Sequence, residues 1–198
     1  MKKKQLHLGE LDVTVFDTET TGLDPRSGDR IIEIAAVRFK NGIRAGTFHS
    51  LVDPCRPVSR GAFMVNGISD EMLEGAPSMK ELLPGFVDFI RGSCLCAYNA
   101  PFDMGFLHEE FRRAGKRFPR GIVVVDILAM ARRLLRLQRH ALWYVAKSLG
   151  AGSGVQEHRA LSDVELTMEV FTLLLEAARS KGISTFSEWQ VPKRTIKS

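Results

Sequence analysis

Nowhere does this chain run long enough without charged or turn residues to span a bilayer as a helix, which excludes an α-helical membrane protein. Cysteine is scarce: Cys55, Cys94 and Cys96 are odd in number and irregular in spacing, which excludes a disulfide framework. Cys94 and Cys96 flank Leu95 in an apolar run, with no His or further Cys nearby to complete a zinc set. They read as small buried side chains on one face of a strand. The basic start Met1-Lys2-Lys3-Lys4-Gln5 is followed by no apolar stretch, so no secretory signal is expected and the expected location is cytoplasmic. Internal repeats and low-complexity tracts are absent too. Charge of one sign is in short excess only. The balance of 28 Lys and Arg against 23 Asp and Glu leaves +5 at pH 7, enough to help hold a polyanion and too little to name one.

What is present is an ordinary globular composition, 44% hydrophobic over 198 residues, sufficient for the core of one domain. Residues 11–16 alternate and are rich in Val and Thr, and they read as a strand. Residues 30–39 form a second, mostly apolar strand. Asn41-Gly42 then marks a hairpin turn, and residues 47–52 return as a third strand. Ser69 is placed to cap a short helix over 70–73. Residues 78–90 read as a helix that Pro84 shortens or kinks, 94–98 as a buried strand, 103–114 as a helix ended by Gly115, and 122–125 as a strand. Helices over 126–137, 141–149 and 160–179 complete the series, the last with an apolar stripe of Leu161, Val164, Met168, Phe171 and Leu175. Hairpin strands followed by alternating helices and strands predict an α/β fold with one sheet of mixed strand direction and helices on both faces. The expected division is one domain over 1–182 and a short C-terminal tail over 183–198, too short for another folded unit.

Four carboxylates and one histidine stand out. If the first strand runs on to Thr20, then Val13, Val15, Asp17 and Glu19 share one face, and the two acids emerge together at its end, about 7 Å apart along the backbone. Paired acids with no base between them repel each other and gain by sharing cations, and oxygen donors suit Mg²⁺ or Mn²⁺. Asp103 follows Tyr98-Asn99-Ala100-Pro101-Phe102, and Asp163 closes His158-Arg159-Ala160-Leu161-Ser162-Asp163. Each residue alone has a plain structural account: a solvated strand end, a first-turn acid favoured by the helix dipole, a surface histidine. None of these explains the flanking residues that accompany all five.

The run Phe16-Asp17-Thr18-Glu19-Thr20-Thr21-Gly22-Leu23 resembles the first motif of the DEDDh, or DnaQ-like, 3′–5′ exonucleases. Tyr98 to Asp103 resembles the second motif, and His158 to Asp163 the third. Val65-Asn66-Gly67-Ile68-Ser69 resembles the turn between the first two. The resemblance covers about residues 11–180. It implies an RNase H-like five-stranded sheet and metal-dependent hydrolysis of phosphodiesters from a 3′ end, releasing nucleoside 5′-monophosphates. It further implies that Asp17, Glu19, Asp103 and Asp163 hold two divalent ions, Mg²⁺ or Mn²⁺, and that His158 is the general base. Thr18, Thr20, Asn99 and Phe102 match positions that seat the terminal nucleotide. Tyr98 and Asn66 depart from the family, standing where histidines are usual, which bears on substrate preference.

Two basic clusters suit phosphate contacts or plain solvation: Arg112, Arg113, Lys116, Arg117 and Arg120, and Arg132, Arg136 and Arg139 on one helix face. The expected substrate is DNA, preferably single-stranded 3′ ends, with a proofreading or repair role. The expected partners are nucleic acid, DNA favoured over RNA, and a DNA polymerase, with no membrane. An RNA or short-oligonucleotide exonuclease of the same fold, and a catalytically silent nucleic-acid-binding subunit, remain as alternatives. Oligomeric state is open.

Overall fold

The turn at Asn41-Gly42 forms as expected. In the computed structural model, which describes residues 12–152 and 159–183, both residues take positive φ, 52° and 77°, matching a tight hairpin to the twist of its strands. β1 (Val13–Thr20) pairs antiparallel with β2 (Ile31–Lys40), and β2 with β3 (Ile43–Leu51). On its other side β1 pairs parallel with β4 (Cys94–Ala97), and β4 with β5 (Val124–Asp126). The order β3-β2-β1-β4-β5 is the mixed five-stranded sheet expected.

After β3 come two short helices, α1 (Arg60–Asn66) and α2 (Asp70–Leu73). The larger helices are α3 (Met79–Ile90), α4 (Ala100–Arg113), α5 (Ile127–Leu134), α6 (Leu142–Leu149) and α7 (Ala160–Ser180). The strand period of two divides the core. Val13, Val15, Ala35, Val37, Cys94 and Cys96 face α5, α6 and α7, whereas Phe16, Ile34, Ala36, Leu95 and Ala97 face α3 and α4. Helices therefore cover both faces. No described helix is long and apolar enough to cross a membrane.

Several expectations shift. α1 was not foreseen: only Asn66 of it is buried, so it carries no apolar stripe, and its one signal is Ser59, whose hydroxyl accepts from the Ala62 amide at 3.1 Å. Ser69 occupies the cap position of α2 but its side chain makes no capping bond. Helix α3 runs unbroken through Pro84, because the carbonyl left without its amide belongs to exposed Lys80. Helix α5 stops at Leu134, where Lys181 from the end of α7 donates its Nζ to the Leu134 carbonyl at 2.9 Å. Arg136 and Arg139 thus lie beyond the helix and share no helical face with Arg132. The buried stripe of α7 is rotated from the expected one. Val164 and Phe171 lie on it, with Ala160, Asp163, Thr167, Val170, Leu174 and Ala178, while Leu161, Met168 and Leu175 are only partly buried at its margin. Two polar residues on the core side moved it. Ile183 packs against the core, and the expected tail from Ser184 onward lies outside the described residues, as does His158.

Candidate active site

The pairing of β1 with β4 ends at Val15 and Cys96, whereas its pairing with β2 continues to Thr20, with a bulge beside Glu19. The last residues of β1 therefore have one open edge, beside the β1–β4 boundary where the strand order reverses. Crevices at such switch points are where open α/β sheets bind ligands. The Thr18 amide faces this open edge and donates to Asp103 Oδ1 at 3.1 Å, and the Thr18 hydroxyl donates to the same oxygen at 2.8 Å. Asp103, in the first turn of α4 and only 2% exposed, is thereby pinned against the strand end from the far side of the sheet.

On the near side, Asp17 and Glu19 continue the face of Val13 and Val15. α7 crosses that face, and Asp163 descends from its first turn. One carboxylate oxygen each from Asp17, Glu19 and Asp163 lie within 4.8 Å of one another. Such crowding is electrostatically expensive. Burial, and then the charges of Asp103, Glu19 and Asp163, push the Asp17 carboxyl well above the usual range. Burial, followed by the charges of Asp163 and Glu33, lifts Glu19 to about 8, against the pull of a hydrogen bond from Asn66. Burial raises Asp103 to about 7, although the bonds from Thr18 hold it down. Every donor is a carboxylate oxygen, with neither sulfur nor nitrogen among them. A hard divalent cation fits this set and would relieve its repulsion.

The other anticipated residues are spread around this cluster. Thr18 and Thr20 are buried, and the Thr20 hydroxyl donates to the Gly22 carbonyl at 2.6 Å. Asn99 is exposed at the start of α4 in the left-handed region, φ 69°, and Phe102 is half-buried with its ring 5.0 Å from that of Phe106. Tyr98 points its hydroxyl away into the fold, donating to the His140 carbonyl at 2.7 Å. Asn66 serves both the fold and the cluster: besides its hydrogen bond to Glu19, its Nδ2 donates to the Thr20 carbonyl at 3.4 Å and its Oδ1 accepts from the Ile68 amide at 3.0 Å. Just outside it, Phe63, Met64 and Val65 of α1 stand exposed, as does Leu23. A Cβ at Gly22 would overlap the Asp29 carboxylate and displace it from its hydrogen bonds with the Thr21 hydroxyl and the Asp24 amide. Of the basic residues, Arg112 is paired with Glu109, and Arg113 is spent on Glu109, Glu110 and the Asp29 and Pro25 carbonyls. Lys116, Arg117 and Arg120 are exposed.

One functional candidate was missed. Glu33 stands opposite Glu19 in the β1–β2 register, is 1% exposed, and accepts from His49 Nε2 at 2.8 Å, Arg159 Nε at 3.1 Å, Arg159 Nη2 at 2.8 Å and the Ala160 amide at 3.1 Å. Burial raises its carboxyl, but the bonds from Arg159, His49 and Ala160 prevail and hold it below its usual value. The available signal was a lone acid inside an apolar strand, which must find partners when buried.

Comparison with known proteins gives consistent results. The sequence model of the RNase_T family, described as exonuclease, matches residues 14–171. The chain is 39% identical over 189 residues to the DNA polymerase III PolC-type protein of Thermotoga maritima, covering 95% of this chain and 14% of that one. It thus spans about a seventh of that relative's length. It is 36% identical over 178 residues to the DNA polymerase III subunit epsilon of Rickettsia prowazekii, covering 87% of this chain and 78% of the relative. Among solved structures it is similar to an exonuclease X in complex with 5′-overhanging duplex DNA, with a TM-score of 0.68 and 24% identity over 93% of this chain and 99% of that one. At that identity the likeness speaks to the fold.

Proposed function

The chain belongs to the RNase_T exonuclease family, and from that premise we propose that it removes nucleotides from the 3′ ends of DNA, preferring single strands, and releases nucleoside 5′-monophosphates. The observation that carries this reading is the meeting of the Asp17, Glu19 and Asp163 carboxylates at the end of β1, with Asp103 pinned beside them. In this reading Asp17, Glu19, Asp163 and Asp103 hold Mg²⁺ or Mn²⁺. A pair of such ions, when bound, lowers the pKa of water and neutralises charge on the attacking and departing oxygens.

The chain's own residues do the rest. His158, seven residues past Ala151 and five before Asp163 in sequence, takes the proton of the attacking water, a task suited to an imidazole near neutral pH. Thr18 holds Asp103 in place through both its amide and its hydroxyl. Asn99 and Phe102 present a polar and an aromatic side chain to the terminal nucleotide. Leu23, Phe63, Met64 and Val65 offer the exposed apolar surface on which unpaired bases pack, which supports a single-stranded end as substrate. Lys116, Arg117 and Arg120 are exposed, but they follow the end of α4 away from Asp103, and Arg120 lines a crevice with Asp12 and Gly92 beside the start of β1, so no contact with the terminal phosphates is assigned to them. The names of the relatives support a DNA polymerase as partner.

The test is a digestion of matched single-stranded DNA, duplex DNA and RNA oligomers, with 3′-blocked controls. Mononucleotides are expected from the free 3′ end of single-stranded DNA with Mg²⁺ or Mn²⁺, and none with chelator or in Asp17→Ala. Failure of the metal-loaded protein to release mononucleotides, or undiminished release by Asp17→Ala, overturns the proposal. Faster digestion of RNA overturns its substrate.

A further inference from the structure

We infer that Glu33 is a positioning residue of this site: its one carboxylate anchors the N-terminus of α7 to the sheet and so fixes where Asp163 stands relative to Asp17 and Glu19. The inference rests on the exonuclease reading and deepens it.

Glu33 shares a sheet face with the acidic cluster, directly across from Glu19. A buried acid there adds one more negative charge beside carboxylates that already repel each other, so it is costly unless it is matched. It is not one of the three acids whose oxygens converge. Both of its oxygens are instead turned to the junction that opens α7. Oε1 accepts from Arg159 Nη2 and His49 Nε2, and Oε2 accepts from Arg159 Nε and the Ala160 amide. The junction needs such a partner. Arg159 holds the cap position of α7 and its side chain makes no capping bond, so the first helical amide takes its acceptor from β2. A carboxylate at that place also complements the positive end of the helix.

The lever from this anchor to the site is short. Asp163 is one helical turn on, its amide donating to the Arg159 carbonyl at 3.0 Å. A turn rises only ~5.4 Å, so a loose first turn moves Asp163 almost as far as it moves Ala160. Misplacement by about 1 Å near reacting groups costs on the order of 100-fold in rate. Stability alone accounts poorly for the arrangement, because a buried ion pair is on average no more stabilising than apolar residues of the same volume. Ala35 and Val37, on the same strand and face, fill that layer without charge.

The experiment compares Glu33→Gln, Arg159→Gln, Arg159→Lys and the Glu33→Gln/Arg159→Gln double variant with the parent. Mn²⁺ affinity is read by calorimetry without substrate, and kcat and KM are read separately on a single-stranded oligomer, well below the unfolding temperature. Glu33→Gln keeps the shape and turns an NH2 group toward two of the four donor atoms that the carboxylate accepts from. It is expected to lose about 10- to 100-fold in Mn²⁺ affinity or kcat, the usual effect of removing a group that orients metal-binding side chains, with KM nearly unchanged. Arg159→Gln moves the same way, Arg159→Lys less, and the double variant is no worse than the worse single change, as expected for a pair acting together. A folded Glu33→Gln with parental Mn²⁺ affinity and kcat overturns the inference. If Glu33→Gln does not fold, parental values in both Arg159 variants overturn it. Asp17→Asn separates the two readings. Full activity in it removes the acidic cluster as the site of catalysis, whereas an inactive Asp17→Asn beside a parental Glu33→Gln removes only the positioning role.

Discussion

Replacing Glu19 by Gln tests the electrostatics of the cluster without any substrate. In the metal-free fold the Glu19 carboxyl is lifted from 4.5 to about 8, chiefly by burial and next by the charges of Asp163 and Glu33. The folded state therefore holds the proton more tightly than the unfolded chain does. Stability from this group is fully present below pH 4.5 and is lost as pH rises toward about 8. At ~1.4 kcal/mol per tenfold change in proton affinity, the loss has an upper bound of roughly 5 kcal/mol. Water reaching the half-buried site and protons shared with Asp17 and Asp103 relieve much of this, leaving roughly 1–3 kcal/mol. Gln has the same shape and no charge. Glu19→Gln is therefore expected to match the parent near pH 4 in EDTA and to exceed it at pH 8, by about 3–10 °C in Tm for a chain of this size. Saturating Mn²⁺ should reverse the order, because the parent gains binding energy that the variant has largely lost. The measurement is a set of thermal melts at pH 4, 6 and 8 with EDTA or Mn²⁺. A Glu19→Gln difference in EDTA that does not grow with pH refutes this account of the cluster.

Other outcomes follow from single contacts. Asp17→Ala should lower nucleotide release by on the order of 1,000-fold or more, a loss of several kcal/mol of charge stabilisation, checked by product chromatography with folding monitored by circular dichroism. His158→Ala should lower kcat by about 100- to 10,000-fold at saturating metal, the usual range for a general base, and unchanged turnover would remove that role. Thr18→Val removes a bond that favours ionised Asp103, so the acid limb of the pH–rate profile should move to higher pH, and superimposable profiles would contradict the pinning of Asp103 by Thr18. Tyr98→Phe removes the bond to the His140 carbonyl and should cost about 1 kcal/mol in denaturant unfolding, with catalysis intact.

The sequence was most legible where side-chain period and turn chemistry act locally. Asn41-Gly42, the alternation that leads from Val13 to Glu19, and the three motifs each carry their information within a few residues. Legibility failed where a distant partner decides. Helix α5 stops at Leu134, where Leu135 turns extended and Lys181 meets the Leu134 carbonyl, a partner that nothing near residue 134 announces. The stripe of α7 was misplaced because Asp163 and Thr167 face inward for reasons of chemistry, against their polarity. Helix α1 stands largely on the surface and so lacks the periodicity that reveals core helices. Glu33 was overlooked because an acid within Ile31-Ile32-Glu33-Ile34 reads as an interruption of a strand. Its meaning appears only when the register sets it across from Glu19 and α7 brings Arg159 over it.

Strand register explains why the site forms at this place. β1 shows Val13, Val15, Asp17 and Glu19 to α7, and Phe16 to the α3–α4 layer, where its ring lies 6.3 Å from Phe86. Slipping β1 by one residue would turn Asp17 and Glu19 into the apolar layer and Phe16 toward the acids of α7. Burying Phe16 stabilises the native register by about 1.5–3 kcal/mol, and each unpaired carboxylate driven into the other layer would cost several kcal/mol more. The apolar residues at the start of β1 thus select the face on which its acids emerge. The early end of the β1–β4 pairing then leaves the Thr18 backbone open to a carboxylate from the opposite layer. Acids from both faces of a sheet can meet only at such an edge, since anywhere earlier along β1, at Val13 to Val15, the closed ladder would stand between α4 and α7.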